Sequence, residues 1–307
     1  MSQDFPLFSI IVPTHNRADQ LTNICLPALA GLDYPRRNFE VIIVDDGGKV
    51  PLDGAVEKFA ESLNIKLIKQ AHSGPAIARN QGAASAEGRF IAFTDDDCAP
   101  TTAWLKALAE RFGASRGCAI GGRTCNALVH NPYSVAHQVL IDYLYKRFNA
   151  DSNRMRFFTS NNLAMPAGPF RAIGGFNEVF SMGGEDRELC YRWTYLGFRL
   201  IYAPEAQVNH LHHMSLRGFL RQHFKYGIGA FRFRKTVAEL DNEPKQIESP
   251  AFYLGLLRYA LLQAHSQSAI CLGLLIIFSQ LATSLGYVSE IWKLASKRVN
   301  ASVEKAT

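Results

Sequence analysis

Three clusters of acidic residues are the side chains in this sequence most capable of chemistry. Asp95-Asp96-Asp97 and Asp45-Asp46 each follow an apolar run, and Glu185-Asp186 follow two glycines. Neighbouring carboxylates repel one another unless a cation neutralises them. A divalent ion such as Mg²⁺ or Mn²⁺ takes oxygen ligands and prefers one or two carboxylates together with substrate phosphates. The triple acid therefore indicates a metal–diphosphate site, and a solvated turn that caps the next helix is the alternative.

The other polar groups each have two interpretations. The Asp45-Asp46 pair could accept hydrogen bonds from a nucleobase or ribose, or it could form an Asx turn. Glu185 and Asp186 could supply a general base for an incoming hydroxyl, or simply cap the helix that they open. His210 lies in a His-rich stretch, and it could bind the metal or a phosphate or be an ordinary surface residue.

An alternating strand–helix pattern must position these clusters. Apolar runs predict strands at 8–12, 39–44, 65–68, 90–93, 157–164 and 200–203. Helical patterns predict helices at 18–29, 56–63, 74–86, 102–112 and 185–196, the first of them capped by Asn16 or Thr14. Such alternation indicates an α/β fold, with a mostly parallel nucleotide-binding sheet and flanking helices.

Ligands of such sheets bind beyond the carboxyl ends of the strands. Three predicted strands end in polar loops, at 13–17, 45–47 and 95–97. If the backbone of the third loop is extended, the side chains of Asp95 and Asp97 point to the same side, toward one metal ion. The sequence therefore predicts that the acidic clusters share one site at this edge of the sheet.

Composition excludes several classes of protein. The chain has 307 residues, of which 48% are hydrophobic, and its net charge is +6. These values exclude a disordered, collagen-like or disulfide-stapled protein. The mild positive charge is compatible with phosphate-bearing ligands, anionic lipid or nucleic acid. Residues 1–6 carry no secretory signal pattern, so we expect a cytoplasmic chain.

The composition changes after residue 214. Residues 216–235 contain basic and aromatic residues and no acidic residue, and residues 268–288 carry no charge. Twenty-one uncharged residues match the roughly 20 needed to cross a membrane. This stretch is either membrane-embedded, with the basic stretch on anionic headgroups, or a buried packing helix. Because Arg258 is costly within a bilayer, we expect a shallow or peripheral attachment in preference to a full span.

The ordered set of motifs resembles the family-two glycosyltransferases of the GT-A fold. It covers about residues 7–213 and consists of SIIVPTHNR (9–17), VIIVDDG (41–47), GPAIARNQG (74–82), AEGRFIAFTDDD (86–97), NNLA (161–164), GGFNE (174–178), GEDREL (184–189), GFRL (197–200) and PEAQVNH (204–210). The resemblance implies a GT-A catalytic domain over 1–213, followed by a basic-aromatic and apolar helical region over 214–307.

The resemblance also implies roles for the matched residues. The donor-binding set comprises Pro13, Thr14, His15, Arg17, Asp46, Arg79, Asp95 and Asp96. The metal set comprises Asp95, Asp97 and His210, with Mn²⁺ or Mg²⁺ as the ion. Asp186 matches the catalytic base of inverting members, and Glu185 lies beside it.

Together these features predict transfer of one sugar from a UDP-, GDP- or dTDP-linked donor to a hydroxyl of a saccharide or lipid-linked acceptor. We expect inversion at the anomeric carbon and a location at the inner face of the plasma membrane. Processive synthases carry a Q-x-x-R-W signature, and residues 221–226 do not match it. Long polymers in a product-length assay would contradict single transfer.

Two other classes remain as alternatives. A nucleotidyltransferase also uses an α/β sheet and acidic metal ligands, but it usually needs a glycine-rich phosphate loop, and residues 13–17 contain no glycine. A non-catalytic saccharide-binding or scaffold protein would not need intact acids at Asp95, Asp97 and Asp186. Nucleic acid is not predicted as a partner, because no recognised binding module is present.

Overall fold

The computed structural model describes residues 5–115, 117–151, 155–181, 183–241, 248–264 and 268–304, without the side chains of 241 and 297–304. The chain divides into two units. Among the described residues, the first unit contains 5–128, 144–181 and 185–212, and the second contains 129–143, 183–184 and those from 213 onward. All the acidic clusters therefore lie in the first unit.

Eight strands form one sheet in the first unit. They are β1 (Phe8–Thr14), β2 (Phe39–Asp46), β3 (Ile65–Gln70), β4 (Phe90–Phe93), β5 (Cys98–Pro100), β6 (Cys118–Asn126), β7 (Leu163–Pro166) and β8 (Arg199–His210). Their order across the sheet is β3-β2-β1-β4-β7-β6-β8-β5. The first four strands in this order pair in parallel, as do β6 and β8. Antiparallel pairs join β7 to β4 and β6, and β5 to β8.

Helices cover both faces of this sheet. They are α1 (Ala18–Gln20), α2 (Leu26–Ala30), α3 (Asp53–Phe59), α4 (Pro75–Ala84), α5 (Trp104–Ala114), α7 (Ala167–Ala172) and α8 (Glu185–Tyr195). Helix α6 (Pro132–Phe148) begins in the second unit and ends in the first. A π-helical turn at Leu21–Cys25 joins α1 to α2, and Arg36–Asn38 and Ser160–Asn162 are short 3₁₀ helices. One core packs β1 against α2 and α5, and a second core packs the opposite face against α4, α7 and α8. Burial on both faces explains why β1 and β2 are continuous apolar runs.

Two local expectations are wrong. The first helix has no side-chain cap, because Thr14 donates its hydroxyl hydrogen bond to Asp96 and not to the helix. The stretch 157–164 is not one strand, because a 3₁₀ turn precedes β7. The Asn162 side chain donates to the carbonyls of Arg123 and Ala206 and accepts from Trp104. These side-chain hydrogen bonds take the place of a backbone ladder at this point.

The second unit is helical. Besides the start of α6 it contains α9 (Leu216–Asp241), α10 (Pro250–Leu262) and α11 (Ala269–Glu304). Two glycines bring α9 and α11 into backbone contact. A Cβ on Gly227 would lie 1.9 Å from the carbonyl oxygen of Thr283, and a Cβ on Gly286 would lie 1.9 Å from that of Phe224. Larger residues at either glycine would separate these two helices.

A buried histidine in α9 makes the stability of this unit depend on pH. The His223 side chain is fully buried among the rings of Phe219, His137 and Tyr226, and neither of its ring nitrogens has a hydrogen-bond partner among the described residues. Burial lowers the pKa of His223 to about 4. Because the unfolded chain has a histidine pKa of about 6.5, it takes up the proton first as the pH falls, and the native state loses stability below that pH.

We therefore expect His223→Leu to be less sensitive to acid than the wild type. Between pH 8 and pH 5, the wild-type free energy of unfolding should fall by about 1–2 kcal/mol more than that of the variant. Urea unfolding at both pH values measures the difference. His213→Leu, at an exposed histidine, is the matched control and should behave like the wild type. An equal loss in wild type and His223→Leu would contradict the prediction.

Candidate functional site

The predicted site residues meet at the carboxyl edge of the parallel strands. Thr14 pairs with Asp45 across β1 and β2, and β4 runs parallel to β1 on its other side. This register brings the ends of the three strands to one edge. Pro13 lies within β1 opposite Val44, one residue before the loop.

The acidic loop after β4 is a turn and not an extended segment, so the condition under which Asp95 and Asp97 would point to the same side is not met. The backbone N–H of Cys98 donates to the carbonyl of Asp95 over 3.1 Å. The Asp95 carboxylate accepts a hydrogen bond from Arg79 over 2.8 Å, whereas that of Asp97 accepts one from Arg17 over 2.8 Å. The turn therefore directs the two carboxylates to different partners.

Asp97 forms a metal-capable group with two histidines. Its Oδ1 lies 3.2 Å from Nε2 of His210, and its Oδ2 lies 3.4 Å from Nδ1 of His212. The ligand atoms of the three residues all lie within 4.8 Å of one another. His210 and His212 are at and just beyond the end of β8, which pairs with β5 directly after the acidic loop. Sequence reasoning did not select His212, although its place two residues after His210 was a usable signal.

The charges of this group suit cation binding. Burial opposes ionisation of Asp97, but its hydrogen bond and charge interaction with His210 and the charges of Arg17 and His212 outweigh burial and hold its pKa well below the usual range. Burial, with the charges of His210 and Arg17, lowers the pKa of His212 to about 4 although Asp97 opposes this. At neutral pH the group thus offers a carboxylate and a neutral imidazole, which are the forms that bind metal ions. Asp95 lies outside this three-residue group.

Asp96 is directed back toward the loop after β1. Its carboxylate accepts a hydrogen bond from Thr14 over 2.7 Å and from Arg17 over 3.1 Å, and it is buried. Burial raises its pKa to about 6, with the charges of Asp97 and Asp95 acting in the same direction and Arg17 and Thr14 against them. The two loops are therefore tied together by Asp96.

Arg79 connects the acidic loop with the start of α8. This guanidinium on α4 is buried, donates to Asp95 over 2.8 Å and donates to Glu185 over 3.1 Å. It also lies over the ring of Phe176 at 5.5 Å. The prediction placed Arg79 beside a nucleotide, and the structure shows it engaged by two carboxylates from distant parts of the sequence.

Asp186 opens α8 beside Glu185 and is partly buried. Its Oδ1 accepts from the backbone N–H of Arg187 over 2.8 Å. Burial, followed by the charge of Glu185, raises its pKa to about 7, although the hydrogen bonds from Arg187 and Ser160 and the charge of Arg79 oppose the shift. A carboxylate with a pKa near neutrality can accept a proton at physiological pH.

Asp46, at the end of β2, is held by a second polar cluster. Its carboxylate accepts from the backbone of Ser73 and Gly74 and from the side chain of Gln70, over 2.7–2.9 Å. Burial works to raise the pKa of Asp46, but these hydrogen bonds and the charge of His72 outweigh it and lower the pKa. Asp46 is therefore a fixed, charged acceptor.

Two histidine rings lie next to Asp46. The His15 and His72 rings stack with their centroids 4.0 Å apart, and Nδ1 of each contacts Asp46, through its backbone oxygen at 2.7 Å or its carboxylate at 2.9 Å. The possible ligand atoms of His15, Asp46 and His72 also lie within 4.8 Å of one another. Sequence reasoning selected His15 and missed His72, because nothing in the residues around position 72 separates it from an ordinary surface histidine.

Comparison with known proteins gives the class of this fold and site. The family model of glycosyl transferase family 2 matches residues 9–174. This range contains the β1 loop, Asp46, Arg79 and the acidic loop. The chain belongs to this family.

Named relatives support the same assignment. The pre-mycofactocin glycosyltransferase of Mycobacterium tuberculosis is 30% identical over 224 residues, which are 71% of this chain and 46% of that protein. The validoxylamine A glucosyltransferase of Streptomyces hygroscopicus subsp. limoneus is 29% identical over 66% of this chain and 51% of its own length. The chain thus spans about half the length of these relatives.

Solved structures confirm the predicted GT-A-like α/β fold. The mannosyltransferase PcManGT from Pyrobaculum calidifontis, in complex with GDP-Man and Mn²⁺, superposes with a TM-score of 0.62 at 18% identity and covers 97% of this chain and 81% of its own. S. aureus TarS 1-349, in complex with UDP-GlcNAc, superposes with a TM-score of 0.54 at 17% identity and covers 94% of this chain and 92% of its own.

Proposed function

We propose that this chain transfers a single sugar from a nucleoside-diphosphate donor to an acceptor hydroxyl, with inversion at the anomeric carbon and with the assistance of a divalent metal ion. The observation that carries the proposal is the pair of ion pairs made by Arg79. One guanidinium binds both Asp95 of the acidic loop and Glu185, the neighbour of Asp186. The acidic loop and the start of α8, which carries the candidate base Asp186, are thereby joined by one guanidinium.

Asp97 and His210 would hold the metal ion, with His212 as a further ligand and Asp95 at the donor side. When bound, Mn²⁺ or Mg²⁺ would offset the negative charge that develops on the departing nucleoside diphosphate. The chemistry of the residues favours Mn²⁺, because two imidazoles accompany one carboxylate and Mg²⁺ prefers oxygen ligands. The Mn²⁺ complex of the mannosyltransferase PcManGT agrees with this choice.

The donor would lie along the edge formed by the β1 and β2 loops. Pro13, Thr14 and His15 would line the nucleotide pocket, and the fixed carboxylate of Asp46 would accept hydrogen bonds from the base. Arg17 is partly exposed and would face the phosphates. Asp96 would act by holding the β1 loop. GDP-Man and UDP-GlcNAc in the neighbouring structures are donors of the proposed type.

Asp186 would serve as the general base. It takes the proton from the acceptor hydroxyl as that oxygen bonds to the anomeric carbon, and the bond from that carbon to the diphosphate oxygen breaks on the opposite face. A single displacement of this kind inverts the carbon and requires no protein nucleophile. Glu185, paired with Arg79, would be a positioning residue that also helps to keep the pKa of Asp186 near neutrality.

We further propose that residues 1–213 form the catalytic domain and that the acceptor is a saccharide, free or lipid-linked. The chain would act in the cytoplasm at the inner face of the plasma membrane. Support comes from Ala269–Ser296, which by length and composition is the one helix among the described residues that could cross a membrane. The most apolar 18-residue stretch of this helix has a mean hydropathy of 1.9, and 39% of that stretch is buried.

A panel of nucleotide sugars tests the proposed function. UDP-, GDP- and dTDP-linked donors are offered with Mn²⁺ or Mg²⁺, and nucleoside diphosphate release and donor-dependent thermal shift are measured. We expect one donor class to give a metal-dependent shift and diphosphate release. Release of pyrophosphate from a nucleoside triphosphate would instead indicate a nucleotidyltransferase. If none of the donors binds or reacts in the presence of either ion, the proposed glycosyltransferase function is wrong.

A further inference from the structure

Helix α11 carries many large apolar residues on its exposed side. The large apolar side chains exposed on it are Ile270, Leu274, Ile277, Phe278, Leu281, Leu285, Val288, Ile291 and Trp292. They recur every three or four residues, so they form one stripe that is about 33 Å long. We call these nine residues the α11 stripe. No charged residue interrupts it between 270 and 292, because Glu290 is buried on the other side.

The buried side of α11 combines small and polar residues with Leu272, Leu275 and Ile276, and α9 packs against part of it. Gly286 and Thr283 lie against the α9 backbone, Ser279 is fully buried, and Glu290 is paired with Arg232 of α9 at 3.4 Å. The helix is thus apolar on its exposed side as well as on its buried side, whereas a surface helix of a water-soluble protein carries polar residues on its exposed side. Only its outer side is available to an apolar environment.

Packing against α9 excludes a span in which lipid surrounds α11. Helix α9 carries six cationic residues, Arg217, Arg221, Lys225, Arg232, Arg234 and Lys235. Moving such a helix into the hydrocarbon core together with α11 would cost about 2.5–3.5 kcal/mol or more for each charge near the centre. A helix that lies flat exposes only its stripe to the acyl chains and leaves α9 on the aqueous side.

Helix α10 extends the apolar surface. Leu254 is 70% exposed and Leu262 is 68% exposed, and α10 packs on α11 where Leu257 and Leu261 approach Gly273. Arg258 is exposed one turn from Leu254, so its aliphatic stem can cover apolar surface while its guanidinium reaches the headgroups. On the described residues 250–262 and 269–296, the exposed charged side chains are Arg258 and Lys293, and neither is acidic. Such a surface complements anionic lipid.

A second copy of the chain is a poorer fit to the stripe. At about 100° per residue the α11 stripe spreads over about 140°, whereas a coiled-coil seam uses two positions per heptad. The positions beside such a seam usually carry charges in water, and here they include Phe278, Leu285 and Trp292. The width of the α11 stripe and the apolar residues at its borders favour contact with lipid over contact with a second copy of the chain.

We propose that the α11 stripe and the exposed face of α10 lie flat in one leaflet of an anionic membrane, with Arg258 and Lys293 at the level of the headgroups. This inference rests on the membrane association proposed above and specifies its surface and orientation. It needs no activity of the enzyme, so it can fail or succeed independently of glycosyl transfer.

Vesicle binding tests the surface. The full chain is floated with vesicles of phosphatidylcholine containing 30 mol% phosphatidylglycerol, and with phosphatidylcholine alone. We expect binding to the anionic vesicles, weakened at least tenfold in Leu281→Glu/Leu285→Glu and unchanged in Val50→Glu, the matched control at an exposed apolar residue of the first unit. Binding of UDP or GDP with Mn²⁺ should be the same in all three proteins. No vesicle binding, or a vesicle-free dimer that the double substitution dissociates, would overturn the proposal.

Depth-dependent quenching tests the orientation. The chain has three tryptophans, and Trp104 and Trp193 are fully buried, so Trp292 is the one that lipid can reach. A second protein, Phe278→Trp/Trp292→Phe, moves this reporter to the middle of the stripe. A flat helix predicts that brominated lipids quench both reporters at the same shallow depth. In a spanning helix position 278 would lie up to about 21 Å from position 292 along the bilayer normal, and a deep 278 would exclude the flat orientation.

Discussion

Asp186→Asn should lower kcat by about 10²–10⁴-fold and leave donor binding nearly unchanged. Asparagine keeps the shape of the side chain and the hydrogen bond from the Arg187 backbone, but it cannot take the proton of the acceptor hydroxyl. The donor should contact the loops after β1, β2 and β4 and should therefore bind as in the wild type. Steady-state kinetics with the donor found in the nucleotide-sugar panel, together with calorimetric titration of that donor, separate the two effects.

The pH dependence gives a second readout for Asp186. The base is active only when it is deprotonated, so activity should rise as the pH increases through about 7 and then level off. In Asp186→Asn the residual activity should lose that rise. Asp19→Asn, on the exposed surface of α1, is the matched control and should keep the wild-type rate and profile. Normal turnover in Asp186→Asn would remove Asp186 from the role of base.

Asp97→Asn should lower kcat/KM by about a thousandfold, which corresponds to about 4 kcal/mol. The substitution removes the one negative charge from the Asp97–His210–His212 group, and a neutral amide is a much weaker ligand for Mn²⁺. In contrast to Asp186→Asn, it should weaken Mn²⁺-dependent donor binding, so KM and donor affinity change along with kcat. Titration of nucleoside diphosphate with and without Mn²⁺ measures this coupling.

Folding must be checked for Asp97→Asn, because Asp97 also pairs with Arg17. Far-UV circular dichroism and thermal unfolding of the metal-free protein show whether the first unit remains intact. Asp33→Asn, which breaks an exposed ion pair with Lys106, is a suitable comparison at a site away from the acidic loop. A folded Asp97→Asn protein whose donor binding still responded to Mn²⁺ as in the wild type would exclude Asp97 as a metal ligand.

Much of the fold follows from local sequence pattern. The apolar runs at 8–12, 39–44 and 90–93 correspond to β1, β2 and β4, because strands buried on both faces read as continuous apolar segments. The rule that ligands bind beyond the carboxyl ends of parallel strands then correctly placed the polar loops at one edge. The stretch 157–164 was misread, because the buried side chain of Asn162 forms its hydrogen bonds with residues far away in sequence.

The partners of the site residues could not be predicted in the same way. The sequence predicted that Arg79 contacts the nucleotide-sugar donor. In the structure Arg79 pairs with Asp95 and Glu185, which are 16 and 106 positions away along the chain. The turn at 95–97 and the participation of His212 likewise depend on β5 pairing with β8. These are long-range relations, and local periodicity contains no information about them.

The sequence alone determined which residue types are available, which strands end in them and that the tail is apolar and basic. Those properties depend on neighbours along the chain, where the steric and hydrophobic rules are local. Only the tertiary structure decided which carboxylate faces which cation, and which side of α11 remains exposed. Charge–charge contacts and helix packing depend on distances in space, which the folded chain sets.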